Sequence, residues 1–170
     1  MKKILTSSIL LCILFLTGCV KNELTVYTSS VVEFDAASWN ANAAGRTYPM
    51  MTRVPTFNAS TPTSQPALTR ATGNVILRVN LVGAQSNTPI NFNIAVVTGE
   101  TTAIAGTHYT AITGTGTIPA NSSFGTVTIQ LLNPGVSSST PGDLVLELVG
   151  NATTKASVNY AKVGLRISQL

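Results

Sequence analysis

The sequence predicts an all-β protein, folded as an antiparallel β-sandwich of about seven strands. Three observations predict it. Five runs from Asn74 onward alternate apolar and polar residues with a period of two, the spacing of a strand with one buried and one wet face. Clusters of Gly, Pro, Asn and Ser separate those runs. No amphipathic helix of any length competes with them.

In chain order, Val31-Val32-Glu33-Phe34 reads as a first strand. Residues 35–73 are irregular and carry four prolines, Pro49, Pro55, Pro62 and Pro66, which remove ladder donors. A structureless stretch of this length is unusual in a compact domain. Part of it, around Tyr48 to Arg53, is therefore expected to be extended and packed on the sandwich. Ala36 to Ala44 is expected to make a helical turn, with Asp35 as its N-cap. From Asn74 the alternation is clean. Val75, Leu77, Val79 and Leu81 form one inward face, and Ile90, Phe92, Ile94 and Val96 a second. Val127, Ile129 and Leu131 follow, then Leu144, Leu146 and Leu148, then Val163, Leu165 and Ile167. Tyr109 to Ile112 and Thr115 to Ile118 are expected to add shorter strands. The total matches the immunoglobulin-like number, about seven.

The N-terminus carries a different signal. Lys2 and Lys3 precede an apolar run, Ile4 to Leu16, interrupted only by Thr6, Ser7 and Ser8. A membrane-crossing helix needs roughly 20 apolar residues, and this run is shorter. It fits the core of an export signal behind a basic start. Leu16-Thr17-Gly18-Cys19 then resembles the bacterial lipobox. In that motif the small residues admit a signal peptidase and the cysteine sulfur takes a diacylglycerol. The expected organisation is a signal peptide at 1–18, Cys19 as the lipidated first residue of the mature chain, a polar tether at 19–30, and one β-sandwich domain at 31–170. Cys12 leaves with the signal and Cys19 is acylated, so no disulfide is expected and stability must come from packing.

Composition narrows the function. Without Lys2 and Lys3, eight basic residues face six acidic ones, a net charge of about +2. There is no basic run, so nucleic-acid binding finds no electrostatic footprint. Charged residues make up only 9% of the chain, and Ser, Thr and Asn carry the polar surface instead.

One stretch carries a family resemblance. Thr102-Ala103-Ile104-Ala105-Gly106-Thr107-His108-Tyr109, then Gly116-Thr117-Ile118-Pro119-Ala120-Asn121, then Val127-Thr128-Ile129, resembles a Calx-beta motif, over about residues 74–168. The resemblance implies a Calx-beta-like, immunoglobulin-like sandwich. With the lipobox, it is similar to small outer-membrane lipoproteins of Gram-negative bacteria found beside glycan-uptake systems. Calcium-binding members of the family use acidic clusters in the loops at one end of the sandwich. Here His108 stands where the family often has aspartate, and the last hairpin reads Thr140-Pro141-Gly142-Asp143. Calcium needs six to eight oxygen ligands, several of them carboxylates, so no metal or other cofactor is carried over.

Candidate chemistry is sparse. His108 is the only histidine and has no obvious nucleophile or second ligand beside it. Glu33 with Asp35, and Asp143 with Glu147, are close in sequence, but nothing in the sequence brings either pair into a cleft. No catalytic residue is assigned. Gly106, Gly114 and Gly116 read as turn glycines without the strand–helix context of a phosphate loop. Trp39 and Tyr48 are the candidate ligand contacts, because aromatic rings with a polar edge can stack on sugars. The competing assignment makes them, with Phe57, an apolar cover over the sandwich. The expected function is a non-enzymatic, lipid-anchored accessory protein of the cell envelope, attached to the outer membrane. It would bind a protein partner or a glycan in a nutrient-uptake complex, with a transporter or a glycan-binding lipoprotein as partner. The alternative is an extracellular structural or adhesive module that assembles through exposed strand edges.

Overall fold

The computed structural model describes residues 29–112 and 114–170. The expected signal peptide and lipobox residues Leu16, Thr17, Gly18 and Cys19 lie outside them. Among the described residues the chain forms nine strands and one short helix. In order these are β1 (Val31–Phe34), α1 (Asp35–Trp39), β2 (Met50–Met51), β3 (Asn74–Val82), β4 (Ile90–Val96), β5 (Thr115–Ile118), β6 (Phe124–Gln130), β7 (Gly142–Val149), β8 (Lys155–Ala156) and β9 (Lys162–Ile167). A 3₁₀ turn, Thr98–Glu100, follows β4.

The strands make two packed sheets, ordered β6-β3-β1-β8 and β2-β9-β7-β4-β5. The alternating runs do what their period requires. Val75, Leu77, Val79 and Leu81 are buried between the sheets, whereas Ile76 and Val82 on the other face of β3 are exposed. Phe92 and Ile94 of β4 meet them from the second sheet, and Phe34, Ile129, Leu144, Leu146, Val163, Leu165 and Ile167 complete the core. Truncating a fully buried phenylalanine such as Phe34 or Phe92 to alanine typically costs about 3–5 kcal/mol.

The sandwich is not purely antiparallel. β1 pairs parallel with β8, and β2 parallel with β9. Both additions are two-residue edge strands reached from distant parts of the chain. β8 follows a loop out of β7, which lies in the opposite sheet, so its direction is set by that crossing and not by a hairpin. Tyr109 to Ile112 also departs from expectation. It forms only isolated bridges, Ala105 with Tyr109 and Tyr109 with Leu131, because the segment turns across the end of the sandwich.

The segment 35–73 closes the open side between the sheets. β1 stops at Phe34, opposite Val79, and α1 takes the place where it would continue. A single helical turn is unstable alone. This one is held by burial of Ala36 and Ala37, and Asn40 Nδ2 donates to the Ala36 carbonyl at 2.8 Å to finish it. The helix ends at Trp39, where Asn40 is already extended (φ −111°, ψ 142°), so it is shorter than the expected span to Ala44. Asp35 is not its N-cap: Phe34 holds that position without a side-chain cap, and Asp35 lies in the first turn. Further on, β2 adds to the edge of β9, Val54 N donates to Pro66 O, and Leu68 N to Thr52 O. Met51 and Leu68 are thereby buried.

The two poles of the sandwich differ. Val31 lies opposite Val82 and Lys155, so the chain enters at the pole formed by the β3–β4 and β7–β8 loops. A cavity of about 550 Å³ there is lined by Ser29, Ser30, Ser86, Asn91, Thr153 and Lys155. At the other pole Gly142 begins β7 opposite Ile167, the end of β9.

Candidate functional site

A groove of about 580 Å³ sits at that far pole. Its walls are Pro134, Val136 and Pro141 from the loop before β7, and its polar groups are Thr102, His108, Asp143, Arg166 and Gln169. The strand ladder positions the last three. Asp143 lies directly across from Arg166 in the β7–β9 pairing, and Gln169 follows the end of β9.

Most of those polar groups are engaged within the protein. Both Asp143 carboxylate oxygens accept from Arg166, Oδ1 from Nε and Oδ2 from Nη2, each at 2.8 Å. Asp143 raises the Arg166 pKa by this hydrogen-bonded pairing, against a smaller desolvation effect. Bidentate geometry of this kind is among the strongest side-chain pairings. His108 Nδ1 accepts from the Ile104 N–H at 2.8 Å, which ties the turn before it. Thr102 Oγ1 accepts from Asp143 N–H at 2.9 Å, and Gln169 Nε2 donates to Ile167 O at 3.1 Å. The groove is therefore built from groups that hold its own loops together.

The donor set does not fit calcium. Asp143 is its only carboxylate and is fully used by Arg166, while the other polar groups are a histidine, hydroxyls and an amide. Among the described residues no three His, Cys, Asp or Glu side chains converge in a metal-binding group.

A second polar cluster lies on the outer face of the five-stranded sheet. Glu100 accepts from the Tyr48 hydroxyl at 2.5 Å, from Lys162 Nζ at 2.9 Å and from Arg46 Nη1 at 3.2 Å. Arg46 also donates to the Tyr48 hydroxyl. These bonds hold the Glu100 carboxyl below its ordinary range, the Tyr48 hydroxyl contributing most and Lys162 next. The cluster was not legible in the sequence, because its four members come from three distant segments. Tyr48 itself is only 2% exposed. It lies with Met50 over Gly164, where a Cβ would come 3.3 Å from Tyr48 Cε2 and 2.5 Å from Met50 Cε. Tyr48 thus belongs to the cover. Val145, opposite Gly164, is completely buried, although the alternation of β7 assigns it to the wet face.

Trp39 is placed differently. It is 49% exposed at the end of α1, and Phe57 is 44% exposed. The turn that carries Phe57 is bonded to the helix at three points. Asn58 N donates to Asp35 Oδ2 at 2.7 Å, Ser60 Oγ to Trp39 O at 2.6 Å, and Thr61 N to Asn40 Oδ1 at 2.8 Å. Asp35 is 1% exposed, and its other oxygen accepts from Asn80 Nδ2 at 2.9 Å. Trp39 and Tyr48, paired as candidates from the sequence, are therefore not brought together: one is half-exposed and the other is buried under its own segment. Glu33 and Asp35 both meet Asn80, whose Nδ2 donates to Asp35 Oδ1 at 2.9 Å. Glu33 is only partly buried, and burial raises its pKa, with its hydrogen bond to Asn80 lowering it and the nearby Asp35 charge raising it further.

No family model matches the chain, and neither does any curated protein. Solved structures do resemble it. The apo form of the Calx CBD1 domain superposes with a TM-score of 0.53 at 15% identity, over 82% of this chain and 98% of that one. The calcium binding domain CBD12 of CALX1.1 superposes with a TM-score of 0.50 at 19% identity, over 59% of this chain and 39% of that one. The fold is thus a Calx-beta-like β-sandwich.

Proposed function

We propose that this chain is a non-enzymatic, lipid-anchored accessory protein of the cell envelope, held to the outer membrane through Cys19 and binding a protein partner or glycan in a nutrient-uptake complex. The observation that carries the anchoring is the ordered series of a basic start, an apolar run, Leu16-Thr17-Gly18 and Cys19. Residues 29 and 30 enter at one pole, so an anchored sandwich would present its opposite pole away from the lipid surface. The non-enzymatic part of the reading is supported by the far-pole groove, where the histidine, the carboxylate and the guanidinium are bonded to their own neighbours.

The alternative, assembly through strand edges, has less support. β2 and β8 are two-residue edge strands, and short edges resist pairing with another chain. β5 and β6 lie back to back: a Cβ on Gly125 of β6 would collide with the Thr117 carbonyl of β5.

Metabolic labelling with a fatty acid analogue tests the anchor. The native chain is expected to be labelled and to fractionate with membranes, and Cys19→Ala to lose both properties. Equal labelling of the variant sinks the anchoring. Co-purification of the labelled native chain tests the role: an envelope transporter in the eluate supports the accessory function, and self-assembled polymers support the structural alternative.

A further inference from the structure

We infer that the free edge of β6 is a docking site for an extended, uncharged peptide segment of a partner protein, which adds to it as a strand; this rests on the accessory reading above and names how a protein partner is held. The inference starts from an asymmetry of the sandwich. Segment 35–73 closes one open side. On the other side β6 and β5 each end their sheet, and among the described residues no further strand lies beside either.

The pairing phase of β6 shows which backbone groups are unused. Successive residues of an antiparallel strand turn their N–H and C=O groups alternately toward the partner and away from it. Leu81 N donates to Ser123 O, and Leu131 N to Gly73 O. Ser123 and Leu131 therefore face β3, and in the unbroken register between them so do Gly125, Val127 and Ile129. Phe124, Thr126, Thr128 and Gln130 face away. The Phe124 groups are taken by the Ser122 hydroxyl, and Gln130 O by Thr110 N. Both backbone groups of Thr126, both of Thr128 and the N–H of Gln130 are left without a partner among the described residues. Thr126 and Thr128 are exposed.

These groups select the occupant. They recur every second residue, roughly 7 Å apart, the repeat at which a second extended backbone offers its own N–H and C=O groups. Exposed edges are commonly blocked by lysine, proline or a bulge, and Thr126 to Gln130 carries none of these. β5 approaches β6 at Gly125, where a Cβ would lie 2.3 Å from the Thr117 carbonyl oxygen. Beyond that point a groove of about 350 Å³ opens, lined among others by Ile94, Ile112, Thr115, Val127 and Thr128, with no charged residue in its walls. An added strand sends alternate side chains into the groove and out to solvent. A charged side chain sent inward finds no counter-charge there, so the inward positions are apolar or hydroxylic.

The experiment uses the full-length lipoprotein in detergent, with amide hydrogen exchange followed by NMR. In the free protein the amides of Thr126, Thr128 and Gln130 should exchange quickly and those of Gly125, Val127 and Ile129 slowly. The probe is a displayed library of random linear peptides, panned on the protein. Selected peptides should be uncharged and rich in β-branched residues, and a synthetic copy should slow exchange at Thr126 and Thr128 by about tenfold or more. Thr128→Pro removes an N–H that β3 does not use, a place where an edge strand tolerates proline, and should weaken the peptide by about tenfold or more. Thr128→Val keeps that N–H and should bind as the native chain does. Should Thr128→Pro fail to fold, peptides N-methylated on one or the other set of alternate residues replace it, and at least one set should lose binding. The inference is overturned if no peptide is selected, if the selected peptide protects other amides instead, or if it binds Thr128→Pro or both N-methylated forms undiminished. It is also overturned if Thr126 and Thr128 become protected merely as the protein is concentrated, which makes the occupant a second copy of this chain. Failure of the peptide arms with labelling at Cys19 and transporter co-purification intact removes only this inference. Loss of both of those with peptide binding intact removes the accessory reading and leaves the docking edge.

Discussion

The Tyr48 hydroxyl donates to the Glu100 carboxylate at 2.5 Å across a separation of 52 residues, and through that bond the N-terminal cover is tied to the sheet it covers. Lys162 of β9 meets the same carboxylate, so the cover, the 3₁₀ turn and the sheet share one junction. Tyr48→Phe keeps the ring over Gly164 and removes only the hydroxyl. A bond to a charged acceptor is worth enough that the melting temperature should fall by roughly 2–6 °C. Thermal unfolding followed by far-ultraviolet circular dichroism measures it, and an unchanged midpoint would show that the hydroxyl contributes nothing.

The same junction predicts an acid dependence. The Glu100 pKa is lower folded than its ordinary 4.5, owing first to the Tyr48 hydroxyl and then to Lys162. A carboxyl depressed on folding contributes stability above its unfolded pKa and loses it as the pH falls through its folded pKa. The stability difference between the native chain and Glu100→Gln should therefore be constant above about pH 5.5 and shrink steadily below about pH 4.5. Urea titrations at a series of pH values measure it; a difference that grows on acidification would reverse the assignment.

Glu33 should behave in the opposite sense. Burial raises its pKa, and the nearby Asp35 charge adds to that, with Asn80 offsetting part of it. A carboxyl raised on folding costs stability as the pH rises through its folded pKa. Glu33→Gln should be more stable than the native chain at pH 7, and the advantage should vanish near pH 4. Denaturation at the two pH values decides it, and a variant less stable at pH 7 would show that the lost charge was favourable.

Gly164 leaves room for the cover. A side chain there would come 2.5 Å from Met50 Cε and 2.6 Å from Met50 Sδ. Gly164→Ala must displace Met50, and overpacking of this kind typically costs about 1–3 kcal/mol. Equilibrium unfolding in urea measures the loss. A stabilised variant would mean that β2 moves freely from the edge of β9.

Calcium should leave the protein unchanged. Asp143 gives both oxygens to Arg166, and the groove around it supplies no further carboxylate. A ligand that binds only the folded state raises the melting temperature, so millimolar calcium should shift it by less than about 1 °C, and chelator should have no effect. A rise of several degrees would show that loop carbonyls and hydroxyls assemble a site without a carboxylate set.

The sequence by itself determined the strands with long alternating patterns. The inward faces of β3, β4 and β9 are legible because each needs only a local period, with Val75, Leu77, Val79 and Leu81 recurring every second residue whatever lies across from them. It also carries Leu16-Thr17-Gly18-Cys19, whose resemblance to a lipobox is readable because the stretch is contiguous. Tertiary structure decided everything that depends on what covers what. The two-residue strands β2 and β8 have no period to read, and their parallel pairing comes from where the chain has already been. Val145 looks like a solvent-facing residue until Tyr48 and Met50 close over its neighbour Gly164. Trp39 and Tyr48 look equivalent as two aromatics in one irregular segment. Their fates divide because Tyr48 reaches Glu100 and the sheet, whereas Trp39 ends a one-turn helix whose buried face is taken by Ala36 and Ala37, with its ring left half in solvent. Contacts between segments 50 residues and more apart leave no trace in either segment alone, because burial is a property of the pair.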